Sequence, residues 1–468
     1  MPFDTLQYWV FFGAVLAIYG SLNAWRGRLF LVIASFVFYG FWDVRFLALL
    51  GGSIVCNYVF GIAIESSNGR RRRIWLVLSV VANLGVLAVF KYLNFLIGSF
   101  ARLLNLDVDS LLLNILLPVG VSFFTFEGIA YSADVYRRHV PARRNLVDFA
   151  LFMSFFPHLV AGPIIRPHDF FPQIGPKWRI TTADFKWGVI QIVKGLIKKC
   201  VFADVFALYA NAYFGQEATA VQVSALVGVV AFGMQIYFDF AGYTDIARGC
   251  ARLLGLTFPP NFERPYLASD ISEFWRRWHI SLSSWLRDYL YIPLGGNRRG
   301  MVQTYRNYLI VMGLGGLWHG ASWNFLIWGL FHGSLLATHR LWIDFGPAAA
   351  RRWLQTRVGS CLASGLTITM VFIGWIPFRA RDWHQTIGTL ADLLHAGTYN
   401  LAVIPTELYV LTGLSLAYCL VDRRRSGERW LEHRTAPLPF SIAAGVALWM
   451  LGLFMQRDTS IPFIYFQF

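Results

Sequence analysis

Apolar segments recur along the whole of this 468-residue chain and constrain its fold more than any other feature. A helix needs about 20 apolar residues to cross the hydrocarbon core of a bilayer, and several of the segments are shorter or are interrupted by Gly and Pro. We therefore expect an all-α polytopic membrane protein with about 10–12 transmembrane helices plus re-entrant and interfacial helices. The segments lie near residues 7–22, 29–41, 46–64, 74–100, 111–131, 146–163, 188–212, 220–241, 302–318, 321–343, 358–378, 401–421 and 436–456.

The composition agrees with a membrane location. Only 14% of the residues are charged and 56% are hydrophobic, whereas soluble domains have about 25% charged residues. Because the apolar segments continue from end to end, we predict a single membrane domain over residues 1–468. The net charge of +15 does not indicate a nucleic-acid partner, since the basic residues lie in short loops, as in cytoplasmic loops of membrane proteins.

The charges between the first apolar segments predict an orientation. Arginines follow the first, third and fifth segments, at 26–28, 70–73 and 137–144, whereas the loop at 105–110 has two aspartates and no basic residue. Positively charged loops stay in the cytoplasm, so the N-terminus is predicted to face outward. The segment at 8–21 has no basic residues before it and is predicted to be a retained first span rather than a cleaved signal.

The cysteines have no CxxC pair and no metal-type spacing. They are predicted to be buried small apolar residues, and no metal site is expected. They are Cys56, Cys200, Cys250, Cys361 and Cys419.

Two stretches differ from the apolar segments. Residues 162–188 hold four prolines, which exclude a continuous helix and predict a structured loop with short helices. Residues 270–291 have apolar residues at helical spacing and predict one amphipathic helix at the membrane interface. Asp270 or Ser272 is the expected cap of that helix, and Glu273 is expected to pair with an arginine one turn later.

Residues 313–333 (GLGGLWHGASWNFLIWGLFHG) carry His319 and His332 in an apolar setting rich in Gly and Trp. An ionisable residue inside a membrane segment is costly and is a functional-site candidate, and histidine is suited to moving a proton near neutral pH. Four glycines between 313 and 320 weaken a helix and permit close backbone approach. His319 is therefore a candidate catalytic residue. The alternative is a core histidine that bonds to a neighbouring helix.

Two further histidines need separate interpretations. His332 lies thirteen residues after His319, about 20 Å along a continuous helix and on another face, so a structural role is predicted for it. His279, between Trp278 and a serine-rich turn, is either a polar residue at headgroup level or a functional residue.

Other motifs are weaker. Asp107-Val-Asp109 matches the DxD of metal-dependent glycosyltransferases, and His339 with Asp344 matches an HxxxxD acyltransferase pattern. The absence of GxSxG, HExxH and P-loop motifs from the sequence argues against a serine-hydrolase elbow, a zincin and an ATP-driven pump.

The chain resembles the membrane-bound O-acyltransferase (MBOAT) superfamily, and most closely its bacterial alginate O-acetyltransferase branch, which is related to the D-alanyl transfer protein of teichoic acid modification. The resemblance covers essentially the whole chain, with the core motifs in 234–333. The stretches that carry it are LPVGVSFFTFEGIAYSADVY (117–136), FFPHLVAGPIIR (155–166), MQIYFDFAGYTDIARGCARLLG (234–255), NFERPYLASDISEFWRRWHISLSSWLRDYLYIPLGGN (261–297), GLWHGASWNFLIWGLFHG (316–333) and FIYFQF (463–468).

The resemblance implies a ring of membrane helices around a central funnel. It implies that His319 is the superfamily's invariant histidine at the neck of the funnel and that His279 is its second important polar position. It also implies that an acyl donor is handled on the cytoplasmic side and that the acyl group leaves on the other side. Pro377 departs from the expected apolar or aromatic residue, and this difference concerns only the local helix end.

The chemistry of acyl transfer fits these residues. A base must take the hydroxyl proton, for which His319 is the candidate, and donors must stabilise the oxyanion. Asn324, Trp323 and the backbone amides around 315–316 are the candidate donors, and Trp318 and His332 are candidate supporting or funnel residues. No bound cofactor is expected. The donor is expected to be acetyl-CoA or another acetyl thioester, with cytoplasmic basic residues holding its phosphates.

We therefore expect an O-acetyltransferase of the bacterial inner membrane that moves acetyl groups to an extracytoplasmic polysaccharide, alginate-like or another exopolysaccharide. A glycan is too wide for a narrow funnel and acetyl is not, so a relay to a periplasmic partner protein is predicted. The alternatives are a transporter or flippase of a polar or lipid-linked cargo, which would share the intramembrane polar residues, and an MBOAT that acts on a lipid or peptide.

Overall fold

The computed structural model describes residues 1–160, 162–175, 180–215, 223–395, 412–414 and 463. Within these residues the regular secondary structure is helical and no strand occurs. The predicted all-α class is therefore confirmed.

Nineteen α-helices lie within the described residues, and three π-helical segments continue or precede them at Ala88–Tyr92, Lys198–Ala203 and Arg287–Tyr291. The α-helices are α1 Leu6–Ser21, α2 Ala24–Gly40, α3 Phe46–Ser66, α4 Gly69–Leu87, α5 Leu93–Leu103, α6 Val121–Arg137, α7 Leu146–Ser154, α8 Phe156–Leu159, α9 Pro167–Phe170, α10 Thr182–Ile197, α11 Asp204–Phe214, α12 Ala225–Leu253, α13 Ile271–Arg277, α14 Ile280–Leu286, α15 Met301–His319, α16 Trp323–Phe345, α17 Ala348–Leu354, α18 Arg357–Arg379 and α19 Trp383–Leu394.

Four helical stretches in the described part of the chain are long and apolar enough to cross a bilayer. They are α3, the continuous stretch Gly69–Leu103, α12 and α18, and shorter apolar helices occur at Leu6–Ser21 and Leu146–Leu159. Length and composition alone select these helices, so the predicted total of about 10–12 spans stays a prediction.

Polar residues in the short connections set where helices begin. The side chains of Thr5, Asn23, Asn145, Thr356 and Asp382 each accept a hydrogen bond from a backbone N–H in the first turn of the following helix. Such a cap contributes about 1 kcal/mol, because the first N–H groups of a helix otherwise have no partner within it. The apolar helices therefore have sequence-encoded starts.

The described residues form two compact units, and α10 and α12 contribute to both. The prediction of one membrane domain stays a prediction. In the unit that contains residues 1–193 and 244–259, α3, α4 and α6 pack together. Asn57 and Asn83 exchange amide hydrogen bonds of 3.2 and 2.8 Å, and the hydroxyls of Ser79 and Ser132 lie 2.6 Å apart. Polar contacts of this kind hold helices together where lipid replaces water.

A buried ionisable pair also lies in this unit. Nε2 of His158, in α8, is 3.0 Å from Oε1 of Glu127, in α6, and both side chains are buried. Neither residue was selected from the sequence, although both lie in stretches that carry the family resemblance. The pair fixes the short helix α8 against α6.

The proline-rich stretch at 162–188 behaves as predicted. Its described part forms α9, a 3₁₀ turn at Phe171–Gln173 and the start of α10 at Thr182. The cysteine prediction was partly wrong. Cys200 and Cys250 are buried, but Cys56 and Cys361 are exposed on the long apolar helices α3 and α18, and Cys419 lies outside the described residues.

In the other unit, which holds residues 194–243 and the described part of 260–441, α15 and α16 form a tight helical hairpin that packs on α18. A Cβ atom at Gly316 would lie 2.1 Å from the carbonyl oxygen of Phe325, and one at Gly329 would lie 2.1 Å from that of Met312. The glycines therefore permit direct contact between the backbones of α15 and α16. They do not interrupt α15, which continues through residues 313–316. Pro377 lies inside α18, which continues to Arg379.

The prediction of a single amphipathic helix over 270–291 was wrong. Asp270 caps α13 as expected, and Glu273 pairs with Arg277, but the chain turns before α14 and then forms a π-helical segment. Much of the apolar stripe is buried in the protein. One straight amphipathic helix is favoured where one face meets lipid and the other meets water. Because both short helices are instead buried in the protein, that preference does not apply to them.

Candidate active site

His319 is the last residue of α15, immediately before the turn into α16. Its side chain is buried, with 5% exposure. The imidazole contacts Trp328 edge-on at a centroid distance of 5.1 Å and Phe378 of α18 at the same distance. The end of α15 at this histidine places an imidazole in an aromatic enclosure.

The structure brings His279 to His319. Their ring centroids are 6.5 Å apart, and the indole of Trp318 contacts both imidazoles. His279 lies in the turn between α13 and α14, where its φ of 43° is in the left-handed region. A non-glycine residue in that region costs of order 1 kcal/mol, so the surrounding contacts hold this turn.

Asn261 provides those contacts and was not selected from the sequence. Its Oδ1 accepts from the backbone N–H and the hydroxyl of Ser281, each at 3.0 Å, and lies 3.2 Å from Nδ1 of His279. A backbone N–H can only donate, so the Asn261 atom at this position is the oxygen. Nδ1 of His279 therefore carries a proton toward Asn261, which leaves Nε2 as the basic nitrogen of the neutral ring.

Burial keeps His279 neutral. Desolvation lowers the pKa of His279 to about 3, because a protonated imidazole loses its hydration there. The helices on either side, α13 and α14, have seven residues each and are too short to cross a bilayer. Phe240 covers the ring edge-on at 4.6 Å, and Phe463, the one described residue of the FIYFQF ending, packs on Phe240.

His332 is fully buried in the interior of α16, whereas His319 is the last residue of α15. Its imidazole lies among aromatic rings, edge-on to Trp275 at 5.2 Å and in contact with Trp328 at 5.0 Å. A Cβ atom at Gly374 would lie 2.8 Å from its Nε2, so α18 approaches the ring closely. Both the structural role and the supporting role of His332 stay predictions.

The predicted oxyanion donors differ in their surroundings. The side-chain amide of Asn324 donates to the carbonyl of Ala380 at 3.0 Å, which ties the start of α16 to the end of α18. Trp323 is 54% exposed. The amides of residues 315 and 316 lie inside α15, where N–H groups bond to carbonyls of the preceding turn, so the structure argues against them as donors. The roles of Asn324 and Trp323 stay predictions.

The unit that holds His279 and His319 also contains a buried ion cluster, which the sequence analysis did not select. Nζ of Lys199 lies 2.9 Å from Oδ1 of Asp204 and 3.0 Å from Oδ1 of Asp239, and all three side chains are buried. Lys199 and Asp239 lie inside the apolar segments 188–212 and 220–241. The criterion that selected His319, an ionisable residue in an apolar segment, would have found them.

The HxxxxD pattern does not form a pair, because Asp344 binds Arg340 and His339 lies nearest Asp270.

Comparison with known proteins decides the family. The model of the membrane-bound O-acyltransferase family matches residues 136–374, slightly more than half of the chain, and this region contains His279, His319 and His332. The chain belongs to the membrane-bound O-acyltransferase family. The family, the fold class and the enzyme class expected from the sequence are thereby confirmed, and membership favours an enzyme over a transporter.

Several curated relatives of this O-acyltransferase are similar over most of its length. The probable alginate O-acetylase of Pseudomonas aeruginosa is 42% identical over 411 residues, which are 87% of this chain and 77% of the relative. The peptidoglycan O-acetyltransferase of Helicobacter pylori is 36% identical over 81% of this chain and 76% of its own length. The teichoic acid D-alanyltransferase of Bacillus subtilis is 28% identical over 58% of this chain and 71% of its own length.

Proposed function

We propose that this O-acyltransferase moves acetyl groups from a cytoplasmic thioester donor toward an extracytoplasmic polysaccharide. Two relatives are named for acetyl transfer, one to alginate and one to peptidoglycan, and a third for D-alanyl transfer to teichoic acid. The observation that carries the proposal is the close approach of His279 and His319 within the region that matches the family. Location in a bacterial inner membrane, with the N-terminus outward, is part of the same proposal.

The proposed reaction uses a neutral imidazole as base. The oxygen of an acceptor hydroxyl attacks the thioester carbonyl, a C–O bond forms and the C–S bond breaks. His319 takes the hydroxyl proton and passes it to the leaving thiolate, so protons and charge balance. The aromatic enclosure keeps water from competing for the acetyl group.

His279 completes the site in this proposal. Its Nε2 is the basic nitrogen because Asn261 binds Nδ1. In the proposal it orients the acceptor hydroxyl or its proton while His319 acts as the base. The two imidazoles then have separate roles in this proposal.

The proposed transfer is a relay. The acetyl group passes to a hydroxyl on an extracytoplasmic partner protein, which acetylates the polymer. Acetyl is small and neutral, whereas a hydrated glycan chain is much wider. The donor is acetyl-CoA or another acetyl thioester, and this chain holds no cofactor of its own in the reaction.

The catalytic proposal is tested at His319. We expect His319→Gln and His319→Ala to lower acetylation of the cell's exopolysaccharide by at least about 100-fold, the lower end of what a positioned base contributes. The matched control is His384→Gln, because His384 is an exposed histidine in α19. Acetyl release from purified polymer is measured together with the amount of folded protein in membranes. Normal acetylation in His319→Ala would overturn the proposal, and loss of folded protein would indicate a core histidine.

A further inference from the structure

A cleft of about 620 Å³ opens beside the arginine-rich segment that follows α6. Its walls come from residues 139–145, from Asp148 in α7, from His168 in α9 and from Phe171 and Pro172 just beyond. All of these residues belong to the unit that contains residues 1–193. The cleft contains none of the histidines assigned to the candidate active site.

One wall of the cleft is cationic and rigid. Arg143 donates through Nε and Nη2 to Oδ2 of Asp148, at 3.0 and 2.5 Å. Arg28 donates to the other oxygen of the same carboxylate at 2.8 Å. Asp148 is buried, and it faces two guanidinium groups with a single negative charge. The two guanidinium groups share this one carboxylate, and the orientation of Arg143 is fixed before any ligand arrives.

A second arginine can change partners. Arg144 pairs with Oε2 of Glu65 at 2.6 Å, and its side chain is 62% exposed. An exposed ion pair of this kind contributes between 0 and about 1 kcal/mol. The oxygens of a phosphate can replace the Glu65 carboxylate at little cost, because a guanidinium binds phosphate through two parallel hydrogen bonds.

Two histidines near the arginines both lie close to the carboxylate of Asp134. Nδ1 of His168 lies 3.1 Å, and Nδ1 of His139 3.6 Å, from the two oxygens of Asp134, which is buried at the end of α6. The contact through Nδ1 orients the partly exposed ring of His168, whereas the distance from His139 to Asp134 is longer than a hydrogen bond. The cleft thus combines guanidinium groups with two imidazole rings, and residues 135–147 contain no acidic residue.

The remaining wall is apolar. The guanidinium of Arg143 lies 5.4 Å from the ring centroid of Phe171, and Val140, Pro141 and Pro172 complete the surface. Flat guanidinium and aromatic surfaces suit the organic part of a ligand as well as its charge. An inorganic anion would leave this wall unused.

We propose that this cleft binds a phosphate group carried on an organic ligand, with Arg143 and Arg144 holding the phosphate and the wall at Phe171 contacting the organic part. Two sources have this chemistry. One is the nucleotide part of a thioester donor such as coenzyme A, and this source rests on the proposed function. The other is the headgroup of an anionic phospholipid. The arginine-rich segment is predicted to face the cytoplasm, where both are present.

The test measures binding to the full-length protein, purified in detergent and in nanodiscs. Calorimetric titration uses adenosine 3′,5′-bisphosphate and coenzyme A, with adenosine as the uncharged probe. Nanodiscs of phosphatidylglycerol are compared with those of phosphatidylcholine. Arg144→Gln should weaken binding by about tenfold or more, as expected for one lost charge-assisted contact. Arg143→Lys should weaken it while keeping a charge beside Asp148.

The matched control is Arg71→Gln, which removes an exposed arginine of another predicted cytoplasmic cluster and should leave binding unchanged. Saturable nucleotide binding that depends on Arg144 supports the donor source, and phosphatidylglycerol binding without nucleotide binding supports the lipid source. No saturable binding of either, or equal binding in wild type and both cleft variants, overturns the proposal. His319→Ala should bind the nucleotide normally, so failure of the acetylation proposal is distinguishable from failure of the cleft.

Discussion

Asn261 shows how one side chain can organise a reactive histidine. It accepts from Ser281 and His279 through one oxygen, and its own backbone carbonyl accepts from the N–H of Ile280 at 2.9 Å. These bonds hold the left-handed turn at His279 and select which ring nitrogen carries the proton. Asn261 acts through His279, so it is a positioning residue.

We expect Asn261→Ala to lower the acetylation rate by about 100-fold, because small displacements of reacting groups have effects of this size. Asn261→Asp keeps an acceptor at the same position and should retain most of the rate near neutral pH. The added carboxylate favours protonated His279 and raises its pKa. The acid limb of the pH–rate profile should therefore move to higher pH in Asn261→Asp. An Ala variant with wild-type rate, or an Asp variant with an unshifted profile, would contradict this assignment.

At the scale of elements, the α15–α16 hairpin determines where His319 lies. Gly316 and Gly329 each face a backbone carbonyl of the opposite helix, so the two helices are in direct backbone contact. α15 ends at His319, and the chain returns within three residues to Trp323. Glycines that weaken an isolated helix thus give the hairpin its close packing.

Gly316→Ala should destabilise the protein by about 1–3 kcal/mol, as overpacking of a tight contact does. Its Cβ atom would lie 2.1 Å from a backbone oxygen that cannot rotate away. The matched control is Gly313→Ala, where the nearest atom is a leucine methyl at 3.4 Å. Alanine is the better helix former, so this control should be neutral or slightly stabilising. Thermal unfolding in detergent compares the two, and equal Tm values would contradict the packing account.

At the scale of the whole molecule, the distribution of charge predicts how the chain crosses the membrane. Membrane-impermeant thiol reagents should label a cysteine at Asp107 from outside the cell and a cysteine at Arg71 only after permeabilisation. Both positions are exposed, whereas Arg72 donates to the carbonyl of Val135 and is less suitable. Because Cys56 and Cys361 are exposed, the background must lack the native cysteines. Labelling with the opposite sidedness would invert the topology.

The relay is also a property of the whole molecule. We expect liposomes that contain this chain alone, with acetyl-CoA inside and polysaccharide outside, to leave the polymer unacetylated. Addition of an extracytoplasmic acetyltransferase partner should restore transfer, because the partner supplies the hydroxyl that receives the acetyl group. Liposomes with His319→Gln plus the partner are the control. Robust polymer acetylation without any partner would make this chain a direct polysaccharide acetyltransferase.

The amino-acid sequence by itself determined the class of protein and its candidate histidines. The length of each apolar segment and its low number of charges are local properties of the sequence. The positions of the helices, their caps and the end of α15 at His319 therefore follow from neighbouring residues. The sequence motifs also indicate the family. They select His319 and His279 without any information on the distance between the two residues.

Only the tertiary structure decided which residues meet. The approach of His279 to His319, the bonds of Asn261, the cluster around Lys199 and the cleft beside Arg143 all join residues that are distant along the chain or in different helices. The stretch 270–291 has the periodicity of one helix, yet burial against other helices makes a turn at His279 favourable. Periodicity reports which face is apolar, whereas the partner of that face is set by packing across the whole chain.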